Sequence, residues 1–291
     1  MNTPSFIAGA ARCATVALVA ALAACASIAP PAGPPPISSQ QIAQIIASPD
    51  RTAADRNNDL RRKPEAILAF IGPHPGMVAL DVSAGGGYTT ELLARAIGPT
   101  GTVYGQSQPR DPNRATPRPA APEGATAAPS SAPPAAAPRT SATALAEREQ
   151  RLRSANVPHA PIIAVERRFD DPIPPELADG KLDLVTLMFN YHDMGFLGVD
   201  RAKMNAAIFR ALKHGGMYVI GDHSGRPGTG ISESGTLHRI EEAFLRREVQ
   251  AAGFKLAAEG NFLRNPADPR DQNTPNPPQP KDEFVLKFVK P

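Results

Sequence analysis

The sequence predicts a doubly wound α/β fold: a mostly parallel seven-stranded sheet with helices on both faces and an antiparallel hairpin at its end. Three observations predict it. Short apolar runs alternate with helix-length segments through most of the chain, the pattern of parallel strands joined by helical crossovers. The run Met77–Val82 passes an acid, Asp81, into the glycine-rich turn Ser83-Ala84-Gly85-Gly86-Gly87, the strand–turn–helix corner that such sheets place at a ligand. The last two apolar runs, Phe254–Phe262 and Phe284–Val289, have a Pro-rich loop and no helix between them, so they read as an antiparallel pair.

Residues 1–24 stand outside this fold. Arg12 is the only charge before the small apolar run Ala14–Ala24, which is too short to span a bilayer and is laid out as a secretory signal. Its end, Leu22-Ala23-Ala24-Cys25, resembles a bacterial lipoprotein signal, in which the cysteine is acylated and becomes the first residue. Ala26 follows it, where an aspartate would direct inner-membrane retention. The resemblance thus implies a periplasmic protein, lipid-anchored through Cys25 to the outer membrane. The other of the two cysteines, Cys13, lies within the signal, which excludes cysteine chemistry from the mature chain. Residues 25–38 are rich in Ala, Pro and Gly and read as a tether. The domain is expected over residues 39–291.

A helix is expected from Ser39, with Ile42, Ile45 and Ile46 on one side. Asp50–Leu60 is charged and polar and carries no apolar periodicity. Pro64 opens the next helix, burying Ile67, Leu68 and Phe70. Strand one is Met77–Val82, and the helix after it runs from Tyr88 to Ile97. Gly98-Pro99-Thr100-Gly101 ends that helix, and the short strand Thr102–Tyr104 follows. From residue 109 to 138 the chain is almost wholly Pro, Ala, Ser, Thr and Gly. That composition predicts a disordered insertion in a surface loop. A charged helix over Ala144–Ser154 leads to strand three, Ile162–Glu166, and Leu182–Phe189 is strand four. A helix over Ala202–Lys213 stops at Gly215-Gly216, before strand five, Met217–Gly221. A long helix is expected over Thr236–Ala252. The formal charge of +3 over 291 residues is too small for a nucleic-acid footprint. The basic pairs Arg61-Arg62 and Arg246-Arg247 read as solvated helix faces.

The dinucleotide fingerprint G-x-G-x-x-G fails at Thr90. The spacing Asp81-x-x-x-Gly85-x-Gly87-Tyr88 instead resembles the first motif of class I S-adenosylmethionine (SAM) methyltransferases, in its isoaspartyl-methyltransferase form. Ser83 stands where that family has its first glycine. The final hairpin also resembles the end of that family's Rossmann-like sheet. A narrower resemblance, to exported bacterial proteins classed as predicted methyltransferases, rests on five segments. These are Asp59-x-x-Arg62-Lys63-Pro64, Ala84-Gly85-Gly86-Gly87-Tyr88, Asn190-Tyr191-His192-Asp193, Asp222-His223-Ser224-Gly225 and His238-Arg239.

The resemblance implies SAM as cofactor, a small-molecule or envelope acceptor and no nucleic acid. Asp81, Ser83, Gly85, Gly87 and Tyr88 would line its methionine part, and Gln106 would take the place of the ribose-binding acid. Asp170 would stand near the adenine, or begin a turn before Pro172. Asn190, expected as a further cofactor contact, His192 and Asp193 form the most polar strand end in the chain. His192 is expected there as a general base, with Asp193 and His223 beside it. His238 and Glu241 would share a helix face at i,i+3. His192, His223 and His238 match no metal motif and no metal ligand is assigned, but with Asp193, Asp222 or Glu241 they leave open a mixed N/O site or a hydrogen-bonded network. A methyltransferase, a non-catalytic binding lipoprotein on the same fold and a metal-dependent hydrolase are the three functions to separate.

Overall fold

Seven strands, β1 (Val78–Val82), β2 (Thr102–Ser107), β3 (Ile162–Glu166), β4 (Leu182–Met188), β5 (Leu212–His223), β6 (Lys255–Gly260) and β7 (Glu283–Val289), pair in the order β3-β2-β1-β4-β5-β7-β6. The first five run parallel, and β7 is antiparallel to both β5 and β6. The computed structural model describes residues 1–3, 34–109, 139–273 and 280–291. Nearly all of the expected signal, residues 25–33 of the tether and nearly all of the insertion lie outside these residues. Among the described residues no helix is long and apolar enough to cross a membrane.

β1 and β4 are apolar almost throughout because helices cover both faces of the sheet. On one face, α1 (Ser39–Ala47), α3 (Pro64–Ile71), α4 (Tyr88–Ile97) and α5 (Ser141–Ser154) bury Ile42, Leu68, Leu93 and Leu145. On the other, α7 (Arg201–Ala211) and α8 (Glu242–Ala251) bury Met204, Ile208, Leu245 and Val249. Strand order reverses between β1 and its neighbours β2 and β4. That reversal opens a crevice beyond the strands' carboxyl ends, where such sheets hold ligands.

Four elements depart from expectation. The charged stretch before Pro64 is a helix, α2 (Ala53–Arg62), capped by Thr52 and held by charge, with Arg51 bonded to Asp59 and Arg148 to Asp55, both at 2.7 Å. The residue before a proline disfavours the helical region. Lys63 takes φ 43° instead and turns the chain between α2 and α3. Gly215 and Gly216 do not stop the chain. Gly215, at φ 77°, donates to Lys290 O, and β5 runs through with its register shifted between Leu182↔Leu212 and Leu184↔Met217. β2 continues past Tyr104 to Ser107, pairing with β3 along the way.

The long helix expected from Thr236 begins only at Glu242. Residues 238–241 are pinned beside β5: Ile240 N donates to His223 O at 3.1 Å, and Gly225 N donates to Ile240 O at 2.7 Å. His238 therefore sits at φ 52°, and His238 and Glu241 share no helix face.

Candidate functional site

The glycine turn lies at the mouth of the crevice. Ser83 adopts φ 59°, the left-handed conformation usually left to glycine, and its amide donates to Gln106 Oε1 at 3.1 Å. Gly85 and Gly87 also have positive φ. The carbonyls of the turn are held from one side by α5: Ser141 Oγ donates to Gly85 O at 2.7 Å and Arg148 Nε to Gly86 O at 2.5 Å. Gly85 and Gly86 are exposed, and their N–H groups donate to nothing among the described hydrogen bonds. Free amides just before a helix N-terminus form an acceptor site for anionic or polar ligand groups.

Arg62 stands beside this turn, half-buried, at the corner made by Lys63. Its guanidinium lies 5.4 Å from the Tyr88 ring centre and 4.7 Å from that of Phe189, and its buried Nε has no hydrogen-bond partner. Burial, and then the neighbouring Arg61, push its pKa down. Arg61 itself pairs with Glu283 at 2.7 Å. Arg61 is exposed on α2 as expected from sequence, whereas Arg62 is half-buried. A small apolar recess lies here, lined by Leu68, Tyr88, Leu92, Met188 and Phe189 together with Arg62. Tyr88 donates its hydroxyl to Asp59 Oδ1 at 2.6 Å.

The ends of β4 and β5 bring the histidines together. His192 is 3% exposed. Its Nδ1 lies 2.6 Å from Asp222 Oδ1, its amide donates to Asp222 Oδ2 at 2.8 Å, and its Nε2 lies 3.1 Å from Asp193 Oδ1. His238 Nδ1 reaches the same Asp193 oxygen at 3.1 Å. The His192 ring centre is 5.3 Å from that of His223 and 5.6 Å from that of His238. Burial disfavours charge on His192, but Asp222 and then Asp193 outweigh it and hold its pKa up to about 10. His192 therefore keeps its proton at neutral pH and is not the free general base expected from sequence. His223 is the opposite case, with burial and then Lys281 pushing its pKa well down. Its Nδ1 stands 2.9 Å from Glu283 Oε1 but out of line for a hydrogen bond. It stacks on Phe189 at 5.7 Å. A continuous run of side chains thus joins the glycine turn to the histidines: Tyr88, Arg62, Phe189, His223, His192, His238.

Three expected contacts are placed differently. Asp81 is 2% exposed, and its two oxygens accept from Thr90 and Thr186, each at 2.7 Å. It ties β1 to α4 and β4. Gln106 is fully buried inside β2: its Oε1 accepts from Ser83 N and its Nε2 donates to Arg167 O at 2.6 Å. Neither end of the amide is left for a ribose, and the strand-end hydroxyl is that of Ser107. Asp170 follows β3, and Arg168 donates to it at 2.9 Å. Asn190 is half-buried and follows Phe189, whose φ is 64°. Sequence reasoning missed Arg62 as a site residue and Asp222 as the group that orients His192. The corner made by Pro64 was the available signal for the first, and the strand-end acid at 222 for the second.

Burial raises the Asp81 pKa to about 6, against hydrogen bonds from Thr90 and Thr186 that lower it. The folded pKa exceeds the unfolded one near 3.8. Its contribution to stability is therefore present below pH 3.8 and lost as pH rises through 6. The stability of the wild type relative to Asp81→Asn should fall by about 2 kcal/mol between pH 4 and pH 7, measured by urea unfolding. Parallel pH curves for the two proteins would show that the carboxyl does not titrate in this window.

No family model matches the chain, and no curated protein matches it either. Solved structures do. A SAM-dependent methyltransferase from Aquifex aeolicus matches with a TM-score of 0.51 at 14% identity, over 88% of this chain and 100% of that one. An arsenic(III) S-adenosylmethionine methyltransferase from Chlamydomonas reinhardtii matches with a TM-score of 0.51 at 15% identity, over 88% of this chain and 73% of that one. The geranyl diphosphate C-methyltransferase from Streptomyces coelicolor A3(2), in complex with Mg2+, geranyl diphosphate and S-adenosyl-L-homocysteine, matches with a TM-score of 0.50 at 13% identity, over 85% of this chain and 87% of that one. The fold is that of the class I methyltransferases.

Proposed function

We propose that this chain is a SAM-dependent methyltransferase acting on a small molecule or an envelope component, anchored at the outer membrane through Cys25. The observation that carries the reading is the half-buried guanidinium of Arg62, whose Nε has no partner among the described residues, packed on Tyr88, the first residue after the glycine turn with its free Gly85 and Gly86 amides, in a methyltransferase fold. A cation with an enclosed, unsatisfied Nε is costly unless a ligand supplies an anion. The carboxylate of an amino-acid-type cofactor is such an anion, so the residues present fit SAM. Arg62 and the turn amides would hold its methionine end, and the Tyr88 ring would wall it. Bound there, SAM supplies an electrophilic methyl group on sulfur. The chain's task is then alignment of the acceptor and exclusion of water, and the polar ends of β4 and β5 stand where an acceptor would approach. Two of the neighbours named above carry small acceptors in their names, arsenic(III) and geranyl diphosphate. The lipoprotein-type end Leu22-Ala23-Ala24-Cys25 supports the location.

The glycines of the turn test the reading because they fail in different ways. A Cβ on Gly85 would meet nothing nearer than 3.9 Å and would point into open space at the turn. Gly85→Val should therefore lower stability by only about 1–2 kcal/mol, for its positive φ, while abolishing binding of S-adenosylhomocysteine. A Cβ on Gly87 would press on Leu145 at 2.7 Å and Arg148 at 2.8 Å, so Gly87→Ala should chiefly destabilise the fold. Calorimetric titration with the ligand, beside thermal melts, separates the two. Wild-type affinity in Gly85→Val would remove this turn as the cofactor site.

A further inference from the structure

We propose that His192, Asp193 and His238 bind one divalent transition-metal ion of the zinc class beyond the carboxyl ends of β4 and β5. A donor atom of each residue lies within 4.8 Å of the others. The carboxylate stands in the middle, its Oδ1 at 3.1 Å from His192 Nε2 and at 3.1 Å from His238 Nδ1. Donor atoms that share an ion at about 2.1 Å stand about 3.0–3.4 Å apart, so this spacing is that of neighbouring corners of one coordination shell. The trio differs from the set left open by the sequence: Glu241 is directed to Gly230 N, and His223 turns toward Glu283 and Phe189.

Three further features are those of a built site. Asp222 is fully buried and holds His192 through Nδ1 at 2.6 Å, which aims Nε2 at Asp193, where an ion would take the place of the Nε2 proton. His238 is held at φ 52° by its neighbours, since Arg239 is locked to Asp268 and Ile240 is bridged to Ser224. The left-handed backbone is thus imposed on the residue that carries the third donor. Asp193 and His238 are 29% and 27% exposed at their side chains, so the remaining coordination positions open to solvent. Two imidazoles and one carboxylate select a zinc- or iron-type ion over magnesium or calcium, which take oxygen shells. The ion site stands without the methyltransferase reading. On that reading, the open position is where an acceptor hydroxyl, amine or thiol would coordinate, exchanging its bond to hydrogen for one to the metal and releasing the proton to water. That assigns to the ion the activating role that His192, enclosed by two carboxylates, does not fill.

The test is calorimetric titration of the full-length protein, stripped with a chelator, using zinc chloride alone. One ion should bind per chain. Asp193→Ala and His238→Asn should each weaken binding at least a hundredfold, and Asn tolerates the left-handed backbone at 238. Asp222→Asn, acting through His192, should weaken it about 10–100-fold. Metal-free melting temperatures report whether each variant folds. The visible spectrum of the cobalt-loaded wild type reports N/O ligation without any variant. A wild type that takes up no ion, or variants that bind it as the wild type does, would overturn the site in favour of a hydrogen-bonded network. Titration with S-adenosylhomocysteine reads the methyltransferase assignment separately, so either can fail alone.

Discussion

Replacing Arg62 with leucine should weaken S-adenosylhomocysteine binding about thirtyfold or more without lowering the melting temperature. The two halves of this expectation come from one fact: the guanidinium is enclosed at Nε and pairs with no carboxylate among the described residues. Removing one partner of a desolvated charge pair costs a complex about 2–5 kcal/mol, which is thirtyfold or more in affinity. The ligand-free protein instead gains by losing an unpaired charge. Against that gain stand two cation–π contacts, with Phe189 at 4.7 Å and Tyr88 at 5.4 Å, each about 0.5–2 kcal/mol. Leucine keeps the apolar contact with the recess. Calorimetric titration and a thermal melt on the same preparation decide it. A large drop in melting temperature with unchanged affinity would make Arg62 a structural residue and leave the crevice without its anion-binding group.

The largest effect on stability is expected at Arg239. It is fully buried, and its guanidinium donates to Asp268 at 2.9 Å and 3.2 Å, to Ser224 O at 3.0 Å and to Gln272 O. Arg239→Met fills similar volume but leaves Asp268 ionised and buried, with only the amides of Asp282 and Arg270 to satisfy it. Breaking a buried pair in this way costs about 3–5 kcal/mol. Urea unfolding should show that loss, and a change below about 1 kcal/mol would mean that Asp268 takes up a proton or reaches water instead. Because Arg239 also fixes the backbone beside His238, the variant should weaken zinc binding even where it remains folded.

What could be read from the sequence was whatever rests on local pattern. The corner from Val78 to Ile97 is specified by an apolar run, three glycines and an amphipathic helix, and it folds as expected. β3, with its boundaries at Ile162 and Glu166, is equally local. The misread elements are those decided by partners distant in the chain. α2 has no apolar stripe because its stabilisation comes from Arg148 on α5 and from Arg51. The segment 236–241 has helical composition, but pairing of Ile240 to β5 and the Arg239–Asp268 contact hold residues 238–241 out of a helix. Gln106 sits at a strand end in the sequence and inside a strand in the fold, because pairing with Val165 and Glu166 on β3 carries β2 three residues further than its apolar run. The site follows the same division. The glycine turn is a local motif, whereas the Asp222–His192–Asp193–His238 arrangement assembles from three separate stretches of chain.

The placement of β1 has a consequence for how the chain comes together. It pairs with β2 almost at once along the sequence, but its other neighbour, β4, is distant: Asp81 and Thr186, bonded across that seam, are 105 residues apart. As the chain emerges from the ribosome, β1 and β2 can pair long before β4 exists. Through that interval the most apolar strand edge of the sheet is unpaired, a template for association with other chains. Assembly is therefore gated by a late, long-range zipping step, which slows folding. A fragment ending near residue 170 should self-associate, whereas one that includes β4 covers the exposed edge.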